Sequence, residues 1–313
     1  MKVSVVMTTY SGDKYIVKQL DSIRDQTYKP DEVIIADDKS LDGTFEVVSS
    51  YIKNNHLEKW TVYQNQQNLG FIMNFFQAMK KATGDFVFLS DQDDIWEPSK
   101  IEEMLKIIGN RDEILILMSK ENRIDENDEY IQFTNKETRA VRRISLAEEV
   151  RDCLGSGHLI VIRKSFMDMN IDALMKSGLT FDIPFCIAAA AMNGLYQYDK
   201  RLVKRRIHGN NTSGIQKKSF SLIKDYDRYV KGRLVRIGYF EFLINNWNEI
   251  VNSENSVEFE ELIKAVGILK KSAEGLKKHK LGPLLAELFS RNKYLNKNIS
   301  LANIMALIIT SLS

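Results

Sequence analysis

Residues 33–48 read VIIADDKSLDGTFEVV and contain, in order, a buried strand, a polar loop and the start of a helix. Residues 33–36 form an unbroken apolar run, which is typical of a strand covered on both faces by helices. Asp42 and Gly43 then turn the chain, and apolar residues recur between positions 45 and 52 at the spacing of one helix face. The stretch therefore predicts a strand–loop–helix unit whose polar loop lies at the carboxyl end of the strand.

The same unit repeats on both sides of this stretch. Apolar runs at residues 3–7, 60–64, 86–89 and 114–118 indicate further strands, and helical patterns separate them. Repeated β–α–β units predict one parallel sheet with helices on both faces, in which ligands bind beyond the carboxyl ends of the strands. We therefore expect an α/β fold with its functional side chains gathered at that edge.

The chain becomes less regular after the fifth predicted strand and helical near its end. Residues 122–143 indicate a loop or an irregular hairpin, and two more strands are predicted at 158–162 and 202–207. Ser145 and Glu148 have the spacing of a capping box at a helix start. Amphipathic helical patterns dominate the C-terminal region, so we predict two domains, residues 1–215 and residues 216–313.

Composition excludes several classes of protein. Of 313 residues, 44% are hydrophobic and 27% are charged, as in globular proteins, and the net charge of +2 predicts no nucleic-acid partner. The two cysteines are too few for a disulfide scaffold or a zinc cluster and favour a reducing, cytoplasmic location. The N-terminal apolar run is too short for a secretory signal, and no apolar run of about 18 residues predicts a membrane span.

The start of the C-terminal region combines basic and aromatic residues. These are Lys217, Lys218, Lys224, Arg228, Lys231, Arg233 and Arg236, beside Tyr226, Tyr229, Tyr239 and Phe240. A basic amphipathic helix can lie on an anionic membrane, and the alternative is a helix packed on the first domain with its charges in water. Residues 301–312 are apolar and indicate an interfacial anchor or an oligomer contact. The sequence thus leaves open a peripheral position on the inner face of the plasma membrane and a homo-oligomer.

The strongest chemical signal is Asp91-Gln92-Asp93-Asp94, which directly follows the strand at 86–89. Three carboxylates in four residues repel one another and need a positive partner unless they are fully solvated. A hard divalent cation, Mn²⁺ or Mg²⁺, meets that need and completes its coordination shell with water and substrate phosphate. A solvated acidic turn is the alternative, and the apolar strand before it disfavours that interpretation.

Weaker candidates follow other predicted elements. Asp38 can bind a nucleotide base or ribose, or it can act only as a turn or cap residue. Tyr10 can stack on a base, or it can be a partly buried tyrosine at the edge of the sheet. Asp182 precedes a helix and can be both its cap and a general base. His208 lies in a polar loop, where most histidines are merely solvated. No dinucleotide fingerprint or P-loop occurs, so a metal is favoured to neutralise any bound phosphate.

In combination, these motifs resemble family 2 glycosyltransferases, in particular the bacterial rhamnosyltransferases of polysaccharide biosynthesis. Four segments carry the resemblance in the family's order: VSVVMTTY at 3–10, DDKSLDGT at 37–44, the stretch from Asn68 to LSDQDDIW at 89–96, and RRIHGNN at 205–211. The resemblance covers about residues 1–215. It implies the GT-A fold, a Rossmann-like and mostly parallel sheet, together with a nucleotide-sugar donor, a divalent metal and inversion at the anomeric carbon.

The resemblance also implies roles for individual residues. The nucleotide-binding residues it implies are Thr8, Tyr10, Asp38 and Asp91. It further implies Asp93 and His208 as metal ligands, Asp94 and Trp96 as borders of the sugar pocket, and Asp182 as the catalytic base. Phe181 and His158 depart from the family pattern, in which a histidine and a small residue occupy these positions.

The implied reaction transfers a sugar from a dTDP-linked rhamnose or a UDP-linked hexose to a glycan or lipid-linked acceptor during cell-surface polysaccharide synthesis. Two other interpretations stay open at this point. One is a catalytically inactive nucleotide-binding module of the same fold. The other is a nucleotidyltransferase, which also uses paired carboxylates and Mg²⁺ but releases pyrophosphate instead of a nucleoside diphosphate.

Overall fold

The computed structural model describes residues 1–134, 136–209, 211, 226–251, 256–278 and 280–295. These residues divide into two compact units. The first comprises Met1–Ile144, Gly155–Ala189 and the described residues from 193 to 211. The second comprises Ser145–Leu154, Ala190–Met192 and the described residues from 226 onward, so it takes two short segments that the sequence assigned to the first domain. The predicted boundary at residue 215 lies outside the described residues.

The first unit is built on one large sheet. Its strands are β1 (Val3–Thr9), β2 (Glu32–Asp37), β3 (Trp60–Gln64), β4 (Phe86–Ser90), β5 (Ile95–Trp96), β6 (Ile116–Ile124), β7 (Tyr130–Gln132), β8 (Val141–Arg143), β9 (Ile160–Arg163) and β10 (Leu195–Arg206). The pairing order is β3-β2-β1-β4-β9-β6-β10-β5, with β7 on β6 and β8 on β10. Six of these strands run in one direction, whereas β9 and β5 run against their neighbours. The expected mostly parallel sheet is confirmed.

Helices cover both faces of this sheet. They are α1 (Ile16–Arg24), α2 (Thr44–Asn54), α3 (Phe71–Met79), α4 (Lys100–Ile108) and α6 (Lys164–Ser177), and α7 (Asp182–Ala191) ends in the second unit. Apolar side chains from α1, α2 and α4 pack on the strands around Val5, Ile35 and Phe88, which have no measurable exposure. Burying each such side chain contributes about 1.5–3 kcal/mol, so this core fixes the strand ends that carry the polar loops.

Three predicted strand boundaries were wrong because pairing, and not only the apolar run, decides where a strand begins and ends. Strand β6 continues past residue 118 to Ile124 because its polar second half pairs with β10. The adjoining segment predicted as a loop or irregular hairpin also contains β7 and β8. Strand β9 begins at Ile160, after a single 3₁₀ turn at Gly157–Leu159, and β10 begins at Leu195 instead of residue 202.

The polar loops lie at one edge of the sheet. Strands β1, β2 and β4 are parallel, with Thr9 opposite Asp37 and Met7 opposite Ser90. Strands β6 and β10 point the same way and are paired up to Ile124 and Arg206. The segments after these five strands therefore meet along this edge, as the sequence predicts.

The second unit is helical, as expected from the C-terminal pattern. Its elements are α5 (Leu146–Asp152), α8 (Tyr226–Asn245), α9 (Trp247–Val251), α10 (Ser256–Lys277) and α11 (Leu281–Phe289). The capping box of α5 is confirmed, because Ser145 Oγ accepts from Glu148 N at 3.2 Å and Glu148 Oε2 accepts from Ser145 N at 2.9 Å. Among the described helices, none combines the length and the apolar character needed to cross a bilayer.

Two arginines of the basic cluster, for which the sequence left a membrane-facing and a packed helix open, are buried in the second unit. Arg233 is 4% exposed and donates to Glu287 and, at 3.2 Å, to Ser272. Arg236 is 8% exposed and donates to the carbonyl of Val150 at 2.9 Å. Both arginines hold the helices together and do not face a membrane in this structure. Lys217, Lys218, Lys224 and residues 301–312 lie outside the described residues, as do the side chains of Tyr226, Arg228, Tyr229 and Lys231.

Candidate active site

The acidic loop after β4 presents its three carboxylates at different depths. The Asp91 side chain is 45% exposed, that of Asp93 is 15% exposed, and Asp94 as a whole is only 2% exposed. Arg206, which is fully buried at the end of β10, donates from its main-chain N to Asp94 Oδ1 at 3.0 Å and from Nε to the Asp93 carbonyl at 2.9 Å. The backbone of the acidic loop is therefore fixed by a strand more than a hundred residues away.

Arg206 also secures the loop between β6 and β7. Its Nη1 donates to the carbonyl of Asp125 at 3.0 Å and to the carboxylate of Asp128, and its guanidinium lies 4.7 Å from the ring centroid of Tyr15. The sequence offered this arginine only as part of a motif. Its role as the clamp between two loops becomes visible only in the fold.

The two predicted metal ligands lie in contact. His208 Nε2 is 2.8 Å from Asp93 Oδ2, and its ring packs on Tyr15 with 5.0 Å between the centroids. Asn211 donates to the same carboxylate oxygen at 3.2 Å and to the Arg206 carbonyl at 3.1 Å. The sequence offered Asn211 only as part of the segment at 205–211, and its contact with Asp93 becomes visible only in the fold.

Behind Asp91 lies a buried histidine. His158 is 3% exposed; its Nε2 is 2.7 Å from Glu121 Oε2, and its Nδ1 is 3.1 Å from Ser156 Oγ and 3.8 Å from Asp91 Oδ2. Burial lowers the pKa of His158, but the carboxylates of Asp94, Glu121 and Asp91 outweigh burial and raise it. The three carboxylates therefore favour the protonated form of the His158 imidazole, which faces the acidic loop.

Asp94 and Lys100 are two more ionisable residues that are buried behind the loop. Burial, together with Asp91 and Asp93, raises the pKa of Asp94 to about 7, and its Oδ2 has no hydrogen-bond partner among the described residues. Burial lowers the pKa of Lys100 to about 7, although Asp94 and Asp91 oppose this shift. Lys100 Nζ donates to the His158 carbonyl at 2.7 Å and lies 3.8 Å from the Trp96 ring centroid.

Two sets of side chains could hold a divalent cation. Asp91, Asp94 and His158 each offer one ligand atom, and these atoms lie within 4.8 Å of one another. Asp93 and His208 form the second set, with side chains 15% and 11% exposed. Carboxylate oxygens suit both Mn²⁺ and Mg²⁺, and the imidazole nitrogen in each set suits a transition metal such as Mn²⁺ better than Mg²⁺. The first set already has the Lys100 ammonium beside it, which favours the second.

The aspartate predicted to bind the nucleotide base has a structural role in the loop before α3. Asp38 is 2% exposed; its Oδ1 accepts from Asn65 Nδ2 and Leu69 N, and its Oδ2 accepts from Gly70 N, each at 2.8 Å. Gly70 has φ of +79° and ψ of 152°, a backbone conformation that essentially only glycine adopts. A base contact by Asp38 stays a prediction, and in this structure its carboxylate shapes the loop.

The loop after β1 is joined to the acidic loop by one amide side chain. Gln92 Oε1 accepts from Tyr10 N at 2.9 Å, and Gln92 Nε2 donates to Tyr10 O at 3.0 Å. The Tyr10 side chain remains free to meet a ligand because Tyr10 is 47% exposed, whereas Thr8 is 8% exposed at the end of β1. A methyl group on Gly12 would lie 2.3 Å from Gln92 Oε1, so this close approach requires glycine.

Trp96 packs in the core and does not line an open pocket. It is 2% exposed, its ring centroid is 6.1 Å from that of Phe88, and its main-chain N donates to Ser22 Oγ at 3.0 Å. Asp94 is equally buried. That both residues border a sugar pocket stays a prediction, and in this structure both are buried behind the acidic loop.

Asp182 is the first residue of α7 and is partly exposed. Its Oδ1 accepts from Ile183 N at 2.9 Å, so the carboxylate lies against the first turn of the helix. Burial raises the pKa of Asp91, and the negative charges of Asp93 and Asp182 raise it further, while His158 and Arg205 oppose them. Asp182 is thus close enough to the acidic loop for its charge to affect Asp91.

Comparisons with known proteins agree with this geometry. The family model for glycosyl transferase family 2 matches residues 4–169, more than half of the chain. An uncharacterized glycosyltransferase of Nostoc sp. is 25% identical over 253 residues, covering 76% of this chain and 77% of that protein. A glycosyltransferase of Haemophilus influenzae is 28% identical over 221 residues, covering 68% of each chain.

The fold also matches solved structures. Residues 1–349 of S. aureus TarS, in complex with UDP, superpose with a TM-score of 0.58 at 18% sequence identity, covering 98% of this chain and 89% of that one. A second TarS structure, in complex with UDP-GlcNAc, superposes with a TM-score of 0.57. At this level of identity the likeness establishes a shared fold.

Proposed function

The chain belongs to glycosyltransferase family 2 and has the GT-A fold, and from this premise we propose that it is an inverting, metal-dependent sugar transferase. It would move a sugar from a nucleoside diphosphate to a hydroxyl of a glycan or lipid-linked acceptor in cell-surface polysaccharide synthesis, on the cytoplasmic side of the membrane. The observation that carries the proposal is the meeting of Asp91, Asp93 and Asp182 at one sheet edge, with His208 on Asp93.

The donor would lie along the loops that follow β1, β2 and β4. We assign the base and ribose to Thr8, Tyr10, Asp38 and Asp91; Asp94 and Trp96 would support the donor sugar from behind. A dTDP-linked rhamnose is the first donor to test because of the motif resemblance. The uridine nucleotides bound in the TarS structures support testing UDP-GlcNAc beside it.

Asp93 and His208 would hold Mn²⁺ or Mg²⁺. When bound, the cation would stabilise the negative charge that develops on the departing diphosphate. The protein's part is to keep this pair in place: Arg206 fixes the Asp93 backbone, and Asn211 and Tyr15 hold the carboxylate and the imidazole ring. The donor chemistry of the pair, one carboxylate oxygen and one imidazole nitrogen, supports this assignment.

Asp182 would act as the general base. Its carboxylate takes the proton from the acceptor hydroxyl while that oxygen attacks the anomeric carbon on the face opposite the diphosphate. The bond from the anomeric carbon to the diphosphate oxygen breaks, and the glycosidic bond forms with inverted configuration. Its place at the start of α7 supports this role, because the first turn of the helix holds the carboxylate at the sheet edge.

The first prediction concerns this base. In Asp182→Asn, donor binding should be unchanged, because the amide keeps the shape of the side chain and the oxygen that accepts from Ile183 N. Sugar transfer should fall by about 10²–10⁴-fold, because the amide cannot accept the proton. Binding is measured as the rise in melting temperature with donor and Mn²⁺, and turnover as release of nucleoside diphosphate. A variant that transfers sugar near the wild-type rate contradicts the assignment, and release of pyrophosphate indicates a nucleotidyltransferase.

The second prediction concerns the metal ligands. In Asp93→Ala, Mn²⁺ should no longer raise the melting temperature in the presence of donor, because a bound ligand stabilises only a protein that retains its site. Excess chelator should abolish turnover of the wild type, and added Mn²⁺ should restore it. Exposed Asp112→Ala is the matched control and should respond to Mn²⁺ like the wild type. Full activity in chelator contradicts metal dependence.

A further inference from the structure

The residue before Asp182 is an aromatic anchor. Phe181 is 3% exposed, and its ring centroid lies 4.3 Å from that of Phe75 and 6.4 Å from that of Phe71. Phe76 is a third neighbour at 6.3 Å. All three partners belong to α3, so the ring of Phe181 ties the start of α7 to that helix.

The opposite side of the Phe181 ring is closed by a glycine. A methyl group placed on Gly157 would lie 2.8 Å and 3.2 Å from two carbon atoms of this ring, and 3.9 Å from Asp182 Cβ. The first distance is shorter than van der Waals contact permits. Position 157 therefore needs glycine for space, because any larger residue would push Phe181, and Asp182 with it.

Contacts of the neighbouring His158 hold the turn that contains Gly157 in place. The ring of His158 contacts Glu121 at 2.7 Å and Ser156 at 3.1 Å, and the His158 carbonyl accepts from Lys100 Nζ at 2.7 Å. Because His158 is buried and held on three sides, Gly157 cannot easily move away from the ring. The ring is thus confined between α3 on one side and an immobilised turn on the other.

We propose that Phe181 is a positioning residue that acts through this confinement: it sets where Asp182 lies relative to the acidic loop. The segment just before it contains Gly178 with φ of +69° and would otherwise allow the start of α7 to shift. A displacement of about 1 Å at a reacting group can cost about 10²-fold in rate, so fixing this point matters for turnover. The inference rests on the proposed function, because it takes Asp182 as the base.

The test uses a pair of substitutions whose effects should compensate. Gly157→Ala should lower kcat for donor hydrolysis by about 10–100-fold and leave KM for the donor within about twofold, because the displaced group is the base and not the nucleotide site. Phe181→Leu alone should also lower kcat, because the smaller side chain loosens the contact with Gly157. In the double variant the added methyl group fills the space that the ring leaves, so most of the kcat lost in Gly157→Ala should return. Gly267→Ala in α10, where an added methyl group meets no atom within 4 Å, is the control and should keep wild-type kcat.

Two further measurements separate this inference from the proposed function. The first is donor hydrolysis by Asp182→Asn with UDP-GlcNAc or dTDP-rhamnose. If Asp182→Asn loses activity while Gly157→Ala keeps wild-type kcat, only the positioning role of Phe181 is contradicted. If Asp182→Asn keeps full activity, the assignment of Asp182 as the general base is contradicted. The second is thermal unfolding, which can be measured without enzyme activity. The double variant should have a higher melting temperature than Gly157→Ala. Additive losses in melting temperature, or KM rising in step with the fall in kcat, contradict the confinement.

Discussion

Glu121 is the residue on which the charges behind the acidic loop converge. It contacts His158 at 2.7 Å, Arg123 at 2.9 Å and Arg205 at 3.6 Å, while its side chain is only 15% exposed. Burial alone would raise its pKa, but the hydrogen bond and charge of His158, with Arg123 and Arg205, lower it to about 2. Glu121 therefore stays ionised well below the ordinary glutamate pKa, and it holds His158 in place.

The third prediction follows from this shift. Because the pKa of Glu121 is lower in the folded than in the unfolded protein, its contribution to stability is present above the ordinary glutamate pKa and is lost as the pH falls toward 2. Glu121→Gln should therefore destabilise the protein by about 2–3 kcal/mol at pH 5.5 and by less at pH 3.5. Urea unfolding at the two pH values measures the difference. Exposed Glu113→Gln is the control, and an equal loss for Glu121→Gln at both pH values contradicts the argument.

The sequence predicts only part of the residue-scale arrangement. Asp93 and His208 could be named because each lies in a recognisable motif after a strand. Glu121 and Arg206 could not be given their roles, because their contacts join segments 37 and more than 80 positions apart and leave no local pattern. The burial of Trp96 could not be predicted for the same reason, since it depends on helices that precede and follow it in the chain.

At the scale of elements, the loop before α3 depends on the conformation of a single glycine. Gly70 combines a positive φ with extended ψ, and its main-chain N–H reaches Asp38 Oδ2 at 2.8 Å. The same aspartate accepts from Leu69 N. The start of α3 is thus fixed to the end of β2 by one carboxylate, and only glycine fits the backbone that this requires.

The fourth prediction is that Gly70→Ala destabilises the protein by about 1–3 kcal/mol, because an L-residue is strained in this backbone region. Gly43→Ala is the control: Gly43 has φ of −79°, and an added methyl group meets no atom within 4 Å. Chemical unfolding of both variants gives the comparison. Equal free energies of unfolding for the two variants would contradict the prediction, because they would show that the loop before α3 accommodates alanine without strain.

The sequence predicts elements well where burial makes them uniformly apolar. Strands β1, β2 and β4 are buried along nearly their whole length, and their apolar runs locate them to within a residue or two. The second half of β6 and the first half of β10 alternate between buried and partly exposed positions. The second half of β6 pairs with the second half of β10, and the first half of β10 pairs with the first half of β6 and with β8. These long-range pairings, which no local pattern encodes, make both segments strands.

At the scale of the whole molecule, the second unit contains a buried ion pair. Arg233 and Glu287 are in contact with side chains at most 2% exposed, and they join α8 to α11. An ion pair out of water stabilises a fold only while both partners are present, since the loss of one leaves an uncompensated charge. The pair therefore fixes how these two helices pack more than it adds to net stability.

The fifth prediction is that Glu287→Gln lowers the free energy of unfolding by about 3–5 kcal/mol, because Arg233 would then be buried without its counter-charge. The double variant Arg233→Met with Glu287→Leu should be much closer to the wild type. Glu274→Gln is the matched control, since Glu274 is largely exposed and its contact with Lys278 should be worth about 0–1 kcal/mol. Equal effects of the two glutamate substitutions would contradict the role of burial.

Gln92 joins the loop after β1 to the loop after β4. This contact restricts which residue types can occupy position 92. Gln92 satisfies both the N–H and the carbonyl of Tyr10 with the two ends of its amide, in the way that a neighbouring strand would. Glutamate lacks the donor, lysine lacks the acceptor, and asparagine is one methylene shorter. Saturation mutagenesis at position 92 should therefore find almost no functional replacement, although the residue performs no chemistry, and enzyme engineers should leave it unchanged when they redesign the acidic residues on either side.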